Sequence, residues 1–509
     1  MSDMNQEKNK MSLFSAVLLC CTCMVGSGWL FASQLAARNA GNYSFIAWIA
    51  AAAMIIGVGL CFAVVVTQFP QRGATTRVSA ISHNSIFGMP FAFANWFGIS
   101  VVIATEAQAT TQYLAPFMGD SLMQDGILTL TGKSLAMAIL FGYLFINWYG
   151  IKFLTRINNV VTVFKIFTPL FVIAVLLVSH IDTTNFTLAT NSSYSAKDIF
   201  PAIVASGMIY AFNGFQVVTA FASEVKNPKR NIPLAIIISV LVVLCFYLLL
   251  QFTFMSAMPN EMLNNGGWVG VNLDSPIVGL TILLGLNFLM VLLIADSIVA
   301  PSAVGYTYLG MSSRMLFAMS KEKQAPAFLS KKIHPKRGFS VPAMAVNFII
   351  AVVFLLQADS WAGLMIIVTM LHVVGYLAGP VSMAALNPRL KVFGLIVFLG
   401  TAALMVTVPY KDFLITNIVL SVLALVFMFT QGRSKLKANI IFGTPFLILL
   451  WAVLLAQSLI LTLIVSAIFF IFVTDKRYVA KCQAFRKMEL AEAGAVEVSD
   501  AAGDTVEAK

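Results

Sequence analysis

Residues 13–38 read LFSAVLLCCTCMVGSGWLFASQLAAR, an apolar run of membrane-spanning length interrupted near its middle by Gly26-Ser27-Gly28. A helix that simply crosses hydrocarbon has no use for such an interruption, because each unsatisfied backbone group there costs several kcal/mol. A second interrupted run, IFPAIVASGMIYAFNGFQVVTAFAS, lies at 199–223 with Asn213-Gly214 inside it. Unwound backbone survives in a membrane only where it lines a cavity and finds partners there.

Working outward from the two breaks, apolar runs bounded by polar or turn residues predict fourteen helices. They fall at 13–38, 44–69, 91–116, 134–150, 158–179, 199–223, 232–257, 276–310, 341–357, 361–386, 393–409, 413–430, 439–455 and 458–474. Composition demands such an architecture: 59% of the 509 residues are hydrophobic and 10% are charged, against roughly 25% charged in an ordinary soluble domain. A soluble enzyme, a disordered chain and a secreted disulfide scaffold are excluded. The six cysteines agree, since Cys20, Cys21, Cys23, Cys61 and Cys245 lie in apolar runs, Cys482 lies in the polar tail, and none has metal-ligand spacing.

With the N-terminus placed in the cytoplasm, 27 of the 32 Lys and Arg fall on the inner side. Four fall outside, Arg38, Lys133, Lys197 and Lys411, and Lys165 remains within a span. That asymmetry orients the chain with both termini inside. The net charge of +11 is therefore topological, and nucleic acid is not an expected partner. The stretch beyond Lys487, acidic and rich in Ala, Gly and Val, reads as a disordered tail.

Each break opens a group of five helices, 13–179 and 199–386. Five is odd, so a second copy enters the membrane upside down, which is the arrangement of an inverted-repeat transporter with broken helices meeting near the midplane. The domain organisation expected is a cytoplasmic tail at 1–11, a first repeat at 12–180, a second at 199–390, additional helices at 391–475 and a cytoplasmic tail at 476–509. The freed N–H groups at the first break suit a carboxylate. Freed carbonyls at the second suit an ammonium group or a cation. An α-amino acid offers both. The competing reading is that Gly-x-Gly only allows close helix packing.

Ionisable residues within spans are the other anomaly, because they usually face the protein interior and often carry function. Glu106, Lys165, Asp296 and His372 are the candidates. Structural hydrogen bonding is the alternative for Glu106 and Asp296, snorkelling for Lys165, and packing for His372. Glu224 reads as a structural partner of the nearby Lys and Arg. Tyr210, Phe212 and Phe215 flank the second break and are the aromatics best placed to close over a substrate.

These motifs resemble those of the amino acid–polyamine–organocation transporters. VGSGWLF (25–31) is similar to the first-helix signature, and GMIYAFNGFQVVTAFASEVKNPKRNIPLAI (207–236) to the sixth helix and its following loop. INNVVTVFKIFTP (157–169) resembles the fifth helix, and SSRMLFAMSKEKQAPAFLSKK (312–332) the loop after the eighth. The resemblance implies an all-α polytopic membrane protein of the LeuT-type fold, a 5+5 inverted-repeat core with four additional C-terminal helices. It implies that the amides around Ser27 and Gly28, with Met24 and Gly26 beside them, hold a substrate carboxylate. Carbonyls from Tyr210 through Ala211 and Phe212 to Asn213, next to Gly214 and Phe215, would hold the amino group, with Tyr210 at the aromatic gate position. Lys165 matches a fifth-helix lysine that stands where sodium-coupled relatives bind sodium.

One departure is PQRGATTRVSAISH (70–83), where many relatives carry Gly-Gly and an aromatic. With GSGWLFA and the third-helix TEAQATTQYL it looks most like the bacterial aspartate–proton symporter branch. The function this implies is proton-coupled symport of an amino acid, an acidic one favoured, across the bacterial cytoplasmic membrane, with Glu106, Lys165 and Asp296 as proton-coupling candidates. An acidic substrate beside Glu106 would meet like-charge repulsion unless that carboxylate is protonated or stands aside. An exchanger can use the same residues, and an amino acid sensor needs only the site. A channel would need rings of carbonyls or charges that are missing here, and an enzyme a catalytic constellation that is also missing. No cofactor or metal is called for. The partners expected are substrate, proton and lipid; a homodimer through the additional helices is not readable.

Overall fold

In the computed structural model the described residues are 10–69, 74–124, 126–149, 151–187, 193–264, 266–331, 340–358, 360–430 and 435–503. Residues 1–9 and 332–339, which carry part of the positive charge expected on the inner side, lie outside them, as do the first four residues (70–73, with Arg72) of the 70–83 departure.

The first interrupted run forms α1 (Leu13–Met24) and α2 (Gly28–Ala40), separated at Val25-Gly26-Ser27. There follow α3 (Ser44–Gln68), α4 (Ala74–Ser82), α5 (Ser85–Met118), α6 (Leu130–Trp148) and α7 (Ile151–Ser179). The second interrupted run breaks into α8 (Ile199–Ala205), α9 (Met208–Ala211) and α10 (Val217–Ala220), with irregular backbone across Phe212–Gln216. Beyond it lie α11 (Pro228–Ala257), α12 (Pro276–Leu283), α13 (Asn287–Lys321), α14 (Val341–Gln357), α15 (Trp361–Tyr376) and α16 (Ala378–Leu386). The chain finishes with α17 (Lys391–Ala403), α18 (Tyr410–Thr430), α19 (Leu436–Ala456), α20 (Leu459–Val473) and α21 (Lys476–Gly503).

Local chemistry marks many of the starts. Side-chain oxygens of Ser12, Asn84, Thr129, Ser340 and Ser360 accept the amides of Ser15, Phe87, Gly132, Ala343 and Gly363, which satisfies donors that a helix N-terminus otherwise leaves orphaned. Among the described residues nine helical stretches are long and apolar enough to cross a membrane, ten if the bent pair α20–α21 forms one. Three shorter apolar helices are Leu13–Met24, Phe164–Ser179 and Val341–Gln357. Part of the difference from fourteen lies in the broken regions, where α1 has 12 residues and α8 only seven, each too short to span alone, and part in Phe164–Ser179 and Val341–Gln357, which are short without being broken.

Two boundaries need correction. The run 276–310 is not one helix: α12 ends at Leu283, Gly285 turns the chain at φ +71, and α13 continues to Lys321. Hydropathy is blind to that turn because Leu fills both of its flanks. The tail beyond Lys487, expected to be disordered, is helical to Gly503; its Ala and Glu residues are strong helix formers whatever their exposure.

The molecule is inverted relative to a soluble protein. Val178, Leu130, Phe14, Leu455 and Val291 stand exposed on its outside, as a lipid-facing surface requires. Polar groups are inside. Asn347 of α14 accepts from Trp96 Nε1 at 2.9 Å and Ser100 Oγ at 2.7 Å, fastening α14 to α5 by the interhelical hydrogen bonds that hold membrane bundles together. Helix α5 is buried along nearly its whole length and packs against α4, α13, α14, α15 and α19. Side chains projecting from its middle therefore reach the centre of the molecule.

Candidate functional site at the two helix breaks

The two broken helices meet backbone to backbone. Gly214 has φ +127, and a Cβ placed there would lie 2.6 Å from the carbonyl carbon of Cys23 and 2.8 Å from Met24 N. Both the conformation and the approach demand glycine. Gly28 comes less close, a Cβ there lying 3.3 Å from Ala211 Cα. From α11, the Tyr247 hydroxyl reaches the carbonyl oxygens of Met24 at 3.5 Å and Ala211 at 3.4 Å, one from each break.

Glu106, at the centre of α5 and 1% exposed, projects into the first break. Its Oε2 accepts the Ser27 amide at 3.0 Å and its Oε1 accepts the Tyr210 hydroxyl at 2.6 Å. Gly26 makes room: a Cβ on that residue would lie 2.8 Å from Glu106 Oε1. Ser27 Oγ lies 3.1 Å from Tyr210 Oη and accepts from Trp361 Nε1 at 3.0 Å. One direction of donation satisfies the chain: indole to serine, serine to tyrosine, tyrosine to carboxylate. Trp361 stacks on Phe31 at 4.3 Å and presents an edge to Tyr210 at 5.5 Å, closing one side of the site.

Against this lies a small cavity lined by Cys23, Met24, Gly26, Val102, Glu106, Tyr210, Asn213, Val304 and Tyr308. It holds about one water molecule. Two of its polar atoms, Asn213 Nδ2 and Tyr308 Oη, are buried without a protein partner among the described residues. The other end of Asn213 is committed: Oδ1 accepts from Gln216 Nε2 at 2.6 Å and Tyr376 Oη at 3.4 Å. Any ligand larger than water requires this arrangement to open.

Lys165, 1% exposed on α7, donates to Thr22 O at 2.9 Å. That carbonyl belongs to the last turn of α1, where the helix leaves its acceptors unsatisfied and concentrates negative potential. The lysine is within electrostatic reach of Glu106 and Asp296, with no ion pair to either among the described residues. Asp296 is fully buried on α13, and among the described residues neither of its oxygens meets a donor in good hydrogen-bond geometry. The Trp29 indole N–H lies beside that carboxylate and acts on it as a donor, short of a well-aligned hydrogen bond.

Of the residues singled out from sequence, Met24, Gly26, Tyr210, Asn213 and Glu106 line the cavity. Ser27, Gly28 and Gly214 stand behind that lining, Ser27 bonded to Glu106 and the glycines set against Ala211 and the Cys23–Met24 peptide. Phe212 packs on Trp48 and Tyr247, and Phe215 on Tyr376, so both belong to packing. Lys165 and Asp296 stand outside the cavity lining. His372 packs over Gly98, with Nδ1 2.8 Å from Val368 O. Trp361, Tyr247, Tyr308, Val102 and Val304 were not singled out from sequence. Nothing in their spacing distinguishes them among 41 Phe, 12 Tyr and 7 Trp.

Residues 11–480 match the family model described as amino acid permease. The chain belongs to that family. The permease is 32% identical over 482 residues to the glutamate/serine transporter AimA of Bacillus subtilis (strain 168), covering 90% of this chain and 88% of that protein. To the aspartate-proton symporter of the same organism it is 29% identical over 394 residues, 77% of this chain and 75% of the other. To that organism's serine/threonine exchanger SteT it is 24% identical over 366 residues, 70% and 78%. The polytopic helical architecture is that of a multi-pass membrane permease.

Proposed function

We propose that the permease is a secondary active amino acid transporter of the bacterial cytoplasmic membrane, coupling uptake to the proton gradient by alternating access. The observation that carries this reading is the meeting of two interrupted helices around a buried polar cavity. The Ser27 amide at the first break is directed at Glu106 on its edge, and the Asn213 side-chain amide faces the cavity from the second. Support comes from the Ser27 N–H, which already donates to the carboxylate of Glu106. Main-chain groups at a helix break recognise the α-amino and α-carboxylate groups common to amino acids.

In this reading the chain crosses the membrane fourteen times, with both termini cytoplasmic, as two inverted five-helix repeats and four additional helices. Lys165, Asp296 and Glu106 are the groups through which a proton couples to substrate. Acidic amino acids are the favoured substrates, supported by the aspartate-proton symporter and the glutamate/serine transporter among the relatives. The serine/threonine exchanger among them supports a second reading, obligatory exchange through the same residues.

Uptake of radiolabelled aspartate, glutamate and serine into proteoliposomes tests both. Accumulation into empty vesicles driven by an inside-alkaline gradient is the result expected. Uptake confined to preloaded vesicles would make the protein an exchanger, and uptake under neither condition would overturn the transporter reading.

A further inference from the structure

The donors at the first break are already in use. Ser27 N–H and Tyr210 O–H both serve Glu106, and Gly26 leaves its carboxylate the space it fills. A substrate carboxylate seeking the Ser27 amide would meet a side chain carrying the same functional group. The adjoining cavity has room for little beyond one water molecule. Substrate cannot be accommodated beside this arrangement; it must replace part of it.

We infer that Glu106 is a tethered stand-in for the substrate carboxylate, and that substrate binds by displacing it from the Ser27 amide and the Tyr210 hydroxyl. This rests on the transporter reading and adds to it a mechanism of coupling. The displaced side chain loses both donors while a second carboxylate arrives next to it. Two carboxylates in a water-poor site do not both stay ionised. Glu106 therefore takes a proton from solvent as it leaves, becoming a carboxylic acid whose O–H is now a donor. One carboxylate replaces another at Ser27, and one proton is bound for each substrate. The proton is gained because the donors are lost, which makes Glu106, of the three coupling groups, the one that carries the transported proton.

The surroundings allow only limited alternatives. Around Glu106 the groups that titrate are Lys165 on α7, Tyr210 on α9, Tyr308 on α13 and Cys23 on α1. Tyr143 on α6 and Tyr247 on α11 also feel its charge. Asp296 and His372 lie on α13 and α15, the helices packed along α5. Lys165 keeps its bond to Thr22 O and is not asked to move. The charge count has a further consequence: an acidic amino acid entering with one proton carries no net charge, whereas serine with one proton carries a single positive charge.

The test is binding of radiolabelled aspartate, glutamate and serine to the purified full-length protein between pH 5 and 8, with proton uptake followed in weakly buffered solution. Wild type is expected to take up one proton per substrate bound, with affinity falling about tenfold per pH unit on the alkaline side. Glu106→Gln is expected to bind with a flat pH profile and no proton uptake. Retention of wild-type proton uptake by Glu106→Gln would overturn the displacement mechanism and leave transport intact. If that variant does not fold, infrared difference spectra of the wild type decide the matter. Substrate must then induce a protonated carboxylic acid band, and its absence would overturn the inference. Failure of the wild type to bind any amino acid would overturn the transporter reading itself.

Discussion

At the scale of single residues, the site is organised by what glycine permits. Gly214 presses against the Cys23–Met24 peptide in a conformation that L side chains rarely adopt. Gly214→Ala should therefore cost roughly 3 kcal/mol or more, through combined strain and overpacking that rigid backbone cannot relieve. Gly142 on α6 provides the control, since a Cβ there meets nothing within 4 Å. Thermal unfolding in detergent should show a melting point lowered by several degrees for Gly214→Ala and unchanged or slightly raised for Gly142→Ala. Both breaks were legible in the sequence because glycine within an apolar run is a local signal. Glu106 was legible for a similar reason, as a charge where hydrocarbon makes charge expensive. Trp361 was not. Its indole N–H reaches Ser27 from more than three hundred positions away, and only the tertiary fold makes that pair. Tyr308 and Tyr247 escaped notice for the same reason, and Phe212 and Phe215 were drawn in merely by adjacency.

At the scale of elements, the C-terminal helix and the end of α20 are tied to the end of α4 and the residues that lead into α5. His83 Nε2–H donates to the O of Val473, the last residue of α20, at 2.9 Å, Ser82 Oγ, 2.8 Å from Nδ1, completes the ring's neutral pairing, and the ring packs 6.2 Å from that of Tyr478 on α21. Arg486 donates to Ile81 O at 2.7 Å and Gln483 Nε2 to Ser82 O at 3.3 Å, while Cys482 is fully buried. Arg77 of α4 pairs with Glu322 at the end of α13 in the same region. Burial holds the His83 ring down to about 4 from an ordinary 6.5. The docked state thus favours the neutral ring, and an undocked state binds more protons between those two values. Docking is fully stable above pH 6.5 and weakens as pH falls toward 4, by up to about 1.4 kcal/mol per pH unit. Hydrogen exchange of α21, corrected for intrinsic rates, should accelerate between pH 7 and pH 5 in the wild type. It should stay level in His83→Gln, whose amide can donate to the same carbonyl without titrating. Hydropathy placed the helices but not this contact, because the tail's polar composition carries no record of what it packs against.

At the scale of the whole molecule, charge and apolar surface describe one object in two ways. The exposed aliphatic belt is where lipid must be, and the uneven distribution of Lys and Arg predicts which side of it faces the cytoplasm. That distribution predicts opposite accessibility for Lys411, at the start of α18, and Lys437, at the start of α19. Cysteines introduced at the two positions should differ towards a membrane-impermeant maleimide. Lys411→Cys should label in intact cells, and Lys437→Cys only after permeabilisation. Equal labelling of the two would refute the fourteen-crossing topology, because α18 alone separates them. Broad architecture was readable because it depends on totals over many residues, which a few irregular turns do not disturb. The division at Gly285 was unreadable because a turn within Leu-rich sequence changes geometry and leaves composition untouched.

Cys23 gives the cavity a chemical clock. Its thiol lines the space between the breaks and is 8% exposed, so a small water-borne alkylating reagent can reach it only while that space communicates with solvent. The rate of modification then counts openings, much as a camera shutter limits exposure. Substrate that seals the cavity should slow the reaction, and substrate that keeps the protein cycling should quicken it. An unaltered thiol in the native chain can in this way separate a molecule that turns over from one that merely holds what it binds.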